Sequence, residues 1–112
     1  MTWLVGLGLL SQVFGVPAAA RQEYVRTTFY TLSGITSSGE RTHIGVAACS
    51  DWLPLGTRLE FSDGFIVTCL DRGLGGTYWS GWVDVWSPSF SWGVENVRKS
   101  YGDYTWVTVL DS

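Results

Sequence analysis

Arg58-Leu59-Glu60-Phe61-Ser62-Asp63-Gly64-Phe65-Ile66-Val67-Thr68-Cys69-Leu70 is the stretch whose reading decides the fold class. Arg58 to Phe61 alternates polar and apolar, Asp63-Gly64 is a favoured two-residue turn, and Phe65 to Leu70 resumes a run of strand-favouring residues. The spacing predicts a β-hairpin with Leu59 and Phe61 turned into a core. Its second strand, from Phe65 to Leu70, delivers Asp71 to the loop that follows.

Towards the C-terminus, that loop contains four glycines, Gly73, Gly75, Gly76 and Gly81, and carries Tyr78 and Trp79. Trp82-Val83-Asp84-Val85-Trp86 then alternates in period two, placing Trp82, Asp84 and Trp86 on one face of a strand and Val83 and Val85 on the other. Asp71 and Asp84 are thirteen positions apart, each at one end of an expected strand. Loops held between rigid strands are where binding and catalytic groups concentrate, so the two aspartates are expected to face each other across a groove. Ser87-Pro88-Ser89 reads as a helix start, with Ser87 capping and Pro88 in the first position. Phe90, Val94, Val97 and Tyr101 recur at helical spacing as one apolar stripe, and Gly102 ends it. A further strand covers Tyr104 to Leu110.

Towards the N-terminus, Leu53-Pro54-Leu55-Gly56-Thr57 is a bend, Pro54 fixing φ and Gly56 permitting a backbone conformation that other residues avoid. A strand is expected over His43 to Cys49, a glycine-punctuated polar loop over Ser33 to Arg41, and a first strand over Glu23 to Thr31. Six strands and one late helix predict a small β-barrel, whose topology the pattern alone does not choose.

The chain has 112 residues, 46% of them hydrophobic, which fits one domain with one core. Fourteen glycines, seven tryptophans and only 15% charged residues suit a turn-rich β protein with aromatic surface to spare. A net charge of −3 gives no sequence-independent electrostatic hold on nucleic acid, which is excluded as an expected partner. Residues 1–20 carry no charged side chain, are mainly apolar from Trp3 to Phe14, and end in Pro17 and Ala18-Ala19-Ala20. That pattern predicts a secretory signal peptide over 1–20, the alternatives being a retained anchor or an incorrect start codon because only the terminal amine is positive, and one domain over 21–112. The apolar run is short for a transmembrane span of roughly 20 residues, so the expected location is secreted or cell-envelope, with no membrane contact after leader removal. Cys49 and Cys69 are the two cysteines; in an exported domain they read as a disulfide, the alternative being two buried free thiols. With the single histidine His43 they fall short of the four ligands of a structural zinc site. No metal or cofactor is expected.

Leu53-Pro54-Leu55-Gly56-Thr57, then Asp71-Arg72-Gly73 after a hairpin, then Val83-Asp84-Val85-Trp86 before a helix, together resemble the double-psi β-barrel domains of bacterial cell-wall proteins. The pattern is similar to the three-aspartate (3D) domain, found in the catalytic core of membrane-bound lytic transglycosylase A and in stationary-phase and resuscitation-type factors. Rare lipoprotein A-like domains are also similar, through Ser38-Gly39-Glu40 and Asp71-Arg72-Gly73, and expansins and family-45 endoglucanases share the barrel more distantly. The resemblance runs from Thr28 to Leu110. It implies a mainly β fold, a six-stranded double-psi β-barrel with one short C-terminal helix, acting as a monomer on peptidoglycan or another polysaccharide through an acidic groove. In the 3D pattern the first aspartate precedes the Pro-Leu-Gly-Thr bend, and here Cys49 holds that position. Asp71 matches the second aspartate and Asp84 the third, which resembles the catalytic acid of the transglycosylases. Ser50 stands near where rare lipoprotein A-like enzymes place a histidine.

Cleaving a glycosidic bond requires an acid whose pKa is raised towards the working pH. Burial beside Trp82 and Trp86, with Asp71 as a like-charged neighbour, is expected to raise Asp84 in that way, and Asp71 is expected to support it. Asp71 has an alternative role as an acceptor for turn amides. Arg72 either pairs with Asp71, contacts glycan carboxylates or is solvated. Tyr78, Trp79, Trp82 and Trp86 are candidates for stacking on sugar rings, the alternative being barrel packing. His43 reads as structural and Glu40 as a solvated loop acid. Three functions follow: a peptidoglycan lytic transglycosylase or glycosidase, a non-catalytic expansin-like polysaccharide-binding module, or a disulfide-linked structural or inhibitor domain.

Overall fold

The computed structural model describes residues 21–73 and 81–110. The leader expected over 1–20, and Tyr78 and Trp79 of the glycine-rich connection, lie outside the described residues. Six strands, β1 (Arg21–Tyr30), β2 (Val46–Cys49), β3 (Arg58–Phe61), β4 (Ile66–Asp71), β5 (Trp82–Trp86) and β6 (Tyr104–Val109), form a closed barrel in the order β1-β5-β2-β4-β3-β6. β1 pairs with β5, and β2 with β4, in parallel; the other four pairings are antiparallel. The fold class is the expected one, mainly β with a closed six-stranded barrel and one short helix near the C-terminus. That helix consists of α1 (Phe90–Gly93), a π-helical stretch (Val94–Arg98) and α2 (Lys99–Tyr101).

Strand alternation fills the barrel. Val25, Leu59, Phe61, Val67, Val83, Val85 and Val107 are fully or almost fully buried and belong to one core cluster. Cys49 and Cys69 lie in the same cluster and are joined by a disulfide with Cα atoms 5.5 Å apart, which settles their alternative in favour of the bond. The bridge links β2 to β4, two strands paired side by side.

The central hairpin forms with Leu59 opposite Val67, both inward and fully buried. Its turn has three residues rather than two. Gly64 N–H donates to Phe61 O (2.9 Å) and Phe61 N–H to Phe65 O (2.9 Å), so Ser62, Asp63 and Gly64 form the loop, with Gly64 at φ +91 in the position that needs positive φ. Asp63 then accepts from Phe65 N–H (3.1 Å) and from the Tyr101 hydroxyl (3.0 Å), tying the turn to the end of the helix. Tyr101 stacks on Phe61 at 4.1 Å between ring centroids.

Other element boundaries differ for local reasons. β2 starts at Val46 rather than His43, because Val46 N–H donates to His43 O (3.1 Å) around Gly45, which sits at φ +102. The helix cap is Ser89, whose Oγ accepts from Trp92 N–H (3.1 Å), not Ser87. Ser87 is fully buried and its N–H donates to Tyr30 O (2.8 Å), so it prolongs the β5 edge instead. The buried face of the helix contains Gly93, Val97 and Tyr101. Phe90 is 64% exposed. It stands in the first helical turn, with its ring against Phe29 (5.5 Å) and Arg98 (5.7 Å) and its remaining surface in solvent. Gly93 takes the buried place beside Phe29: a Cβ there would collide with the Phe29 ring, so the helix reaches the barrel wall only with glycine at this position. Among the described residues no helix is long and apolar enough to cross a membrane.

Candidate functional site

The period-two pattern of β5 sends Val83 and Val85 into the barrel and leaves Trp82, Asp84 and Trp86 on its outer side. The parallel pairing of β1 with β5 sets Thr28 beside Asp84, and the antiparallel pairing of β2 sets Ala48 on the other flank. Asp84 is therefore a carboxylate in the middle of a three-strand stretch of wall. Thr28 donates its hydroxyl to Asp84 Oδ1 (2.7 Å), and Trp82 Nε1 donates to Thr28 Oγ1 (2.8 Å), so indole, hydroxyl and carboxylate form a chain. Burial pushes the Asp84 carboxyl up from 3.8 to about 6, and the Thr28 hydrogen bond pulls part of that rise back. The like charge of Asp71, expected to contribute, is not what raises it.

Asp71 lies at the end of β4. Its Oδ1 accepts from Ser37 N–H (3.1 Å), Ser37 Oγ–H (2.8 Å) and Arg72 N–H (2.9 Å). The turn around Ser38-Gly39-Glu40 is thereby docked on β4, with Ser38 N–H also donating to Leu70 O (2.9 Å). Asp71 thus has the amide-accepting role through one oxygen while lining a cavity with its side chain. That cavity, about 140 Å³, brings Asp71, Asp84, Tyr30, Leu32, Ala48 and Gly73 together.

Tyr30 is the residue the sequence reading missed. Its hydroxyl is buried and has no hydrogen-bond partner among the described residues. Burial, and then the charges of Asp71 and Asp84, hold its pKa far above the ordinary tyrosine value, so it stays a hydroxyl donor at any working pH. An unpaired buried hydroxyl is costly in a folded protein; the Thr27 and Thr57 hydroxyls share this status among the described residues, and of the three only Tyr30 lines the cavity with Asp71 and Asp84. The signal was present, since Thr28 and Tyr30 alternate on one face of β1, but it becomes legible only when the β1–β5 pairing is known.

The remaining site candidates are placed as follows. The Arg72 guanidinium donates from Nη1 to the carbonyl oxygens of Leu53, Ser50 (3.1 Å) and Cys49 (3.5 Å), and its Nε lies 3.9 Å from Asp51. It braces the chain between the disulfide and the Pro54 bend. Trp82 is half-buried, engaged with Thr28 through its indole nitrogen, and its carbonyl accepts from Trp52 Nε1 (3.4 Å). Trp86 is only 8% exposed; it packs with Val46, Leu70 and Tyr30 behind the cavity and donates from Nε1 to Leu32 O (3.1 Å). His43 and Glu40 are exposed, His43 Nδ1 lying 2.8 Å from Ile44 O. Cys49 is fully buried in the disulfide.

A larger cavity of about 330 Å³ lies between β1 and the helix, lined by Arg26, Phe29, Phe90, Arg98 and Asp103 among others. Its one carboxylate, Asp103, is solvent-exposed, whereas Asp84 in the smaller cavity is partly buried. Among the described residues no group of three or more His, Cys, Asp and Glu side chains is arranged to hold a metal ion. Compared with protein-family models, curated proteins and solved structures, the chain matches none.

Proposed function

We propose that this protein is a secreted, cell-envelope glycan-active barrel that acts on peptidoglycan strands, with Asp84 as the acid and Asp71 in support. The observation that carries this reading is Asp84 itself, a half-buried carboxyl raised to about 6, opening on a cavity shared with Asp71 and Tyr30. A carboxyl raised that far is protonated in a useful fraction near neutral pH, which is what protonating a leaving glycosidic oxygen requires. In the transglycosylase form of the reaction, Asp84 gives its proton to that oxygen. The resulting carboxylate takes the proton of the muramic acid C6 hydroxyl as its oxygen closes on the anomeric carbon. The product is an anhydro sugar, and no water is consumed. The Tyr30 hydroxyl, a permanent donor, supplies a hydrogen bond to a sugar oxygen in the cavity.

One observation favours the second reading, a non-catalytic polysaccharide-binding module. The position resembling the first signature aspartate is Cys49, locked inside the core in a disulfide, so no third carboxylate enters the cavity from there. The two readings separate in one experiment, in which the protein is incubated with purified peptidoglycan and both soluble products and sedimented protein are measured. Anhydromuramyl products that disappear in Asp84→Asn support the enzyme. Co-sedimentation without product selects the module, and neither product nor co-sedimentation removes both.

A further inference from the structure

The outer face that carries Asp84 continues past it along β1. Tyr24, Arg26, Thr28 and Tyr30 alternate to the same side of that strand. Their cross-strand neighbours are Trp106 for Tyr24, Tyr104 and Trp82 for Arg26, and Asp84 for Thr28. At the β6 end of this row the surface is aromatic. Tyr24, Tyr104 and Trp106 are 57%, 56% and 57% exposed. They also touch one another, with Tyr24 5.8 Å from Tyr104 at an interplanar angle of 18°, and 5.2 Å from Trp106. Single exposed apolar side chains are ordinary, but a joined group of three large rings on two paired strands marks a contact surface.

The chemistry of the rings and their place select the occupant. Tyrosine and tryptophan combine an apolar face with a polar edge, which matches a sugar ring with its C–H face and its rim of hydroxyls. The border is polar and internally paired: Gln22 is hydrogen-bonded to Thr108, and Arg21 to Glu23 at 2.8 Å. A bilayer surface would call for a basic cluster, whereas this chain has a net charge of −3, and of the two basic residues on β1, Arg21 and Arg26, the first is paired with Glu23. Tyr24 is four positions along β1 from Thr28, the partner of Asp84, so the aromatic group begins about 13 Å along the strand from the acid. Neighbouring strands of a closed barrel turn their outer faces, and the surface joining the two places is a curved track rather than a flat one.

We propose that Tyr24, Tyr104 and Trp106 form a stacking platform for a polysaccharide chain whose other part lies at Asp84, an inference that rests on the glycan-active reading above. The protein then holds several consecutive sugars, and its affinity depends on chain length. The test titrates the whole protein with soluble peptidoglycan glycan strands of graded length, by calorimetry. Wild-type affinity rises from the shortest to the longest strands, and Trp106→Ala and Tyr24→Ala each weaken the longest by about tenfold, or about 1.4 kcal/mol. Trp106→Phe, which keeps a ring, restores most of that affinity and shows that the alanine variants lose a stacking surface rather than the fold. An unchanged length dependence in both alanine variants overturns the platform and leaves the Asp84 reading standing. A wild-type protein that binds no strand of any length overturns both. Two further results assign the face elsewhere and overturn the proposal: a dimer in sedimentation that Trp106→Ala dissociates, or Trp106-dependent binding to phosphatidylglycerol-containing vesicles.

Discussion

At the residue scale, Asp84 combines a strand position that disfavours aspartate with a hydrogen bond from Thr28 and a buried environment that raises its carboxyl from 3.8 to about 6. A raised acid binds its proton more tightly in the folded protein than in the unfolded chain. Below about pH 4 both states are protonated; from there up through about 6 the folded state holds a proton the unfolded chain has lost, and stability falls until the folded state carries a half-buried carboxylate. The cost at pH 7 is up to about 3 kcal/mol. Asp84→Asn keeps an acceptor for Thr28 and never ionises. It should therefore melt several degrees above wild type at pH 7.5 and close to it at pH 4, as thermal unfolding followed by circular dichroism would show. A difference independent of pH would contradict the buried acid. The period-two alternation around Asp84 was legible in the sequence because it is local. The partners were not, since Thr28 and Tyr30 meet Asp84 through a pairing across more than fifty residues. Arg72 was misleading for a related reason: a guanidinium beside an aspartate suggests an ion pair or a ligand, while the fold gives it three backbone carbonyls that no sequence pattern displays.

At the scale of elements, two contacts hold the barrel and helix together. The Cys49–Cys69 bond fastens β2 to β4 across a separation of 20 residues, and closing such a loop stabilises the folded state by about 3 kcal/mol on the chain-entropy model. Urea unfolding with and without reductant should differ by about that amount in the wild type and not at all in a Cys49→Ala/Cys69→Ala variant; equal curves for the wild type would show that the bond adds nothing. The second feature is the helix contact at Gly93. Alanine there gains about 1 kcal/mol of helix propensity, but its methyl collides with a Phe29 ring already held between Phe90 and Arg98. Overpacking of this kind costs about 1–3 kcal/mol, so Gly93→Ala should lower the urea midpoint despite the better propensity; a raised midpoint would show that the ring yields. The hairpin and β5 were legible because alternation and a turn glycine are short-range signals. The helix cap and the burial of Gly93 were not, because both depend on how the helix meets β1, and the π-helical stretch breaks the even spacing that the stripe from Phe90 to Tyr101 assumes.

At the scale of the whole molecule, the barrel brings residues far apart in the chain to one cavity: Tyr30 and Leu32, Ala48, Asp71 and Gly73, and Asp84. Six strands and a late helix could be counted from the sequence. The closure order could not, because the two parallel pairings, β1 with β5 and β2 with β4, join strands with other elements between them, and only a crossing chain path can make them. The site depends on those two pairings: one sets Thr28 and Tyr30 beside Asp84, and the other sets Asp71 beside β2. The account as a whole rests on Asp84 delivering a proton to a glycan held there. Its most direct test is mass spectrometry of the soluble products formed from purified peptidoglycan by wild type and Asp84→Asn between pH 4 and 8, with co-sedimentation of both proteins measured in parallel. The account predicts anhydromuramyl products from the wild type, declining above about pH 6 as the acid ionises, none from Asp84→Asn, and equal co-sedimentation of the two; product from Asp84→Asn at the wild-type rate would contradict it.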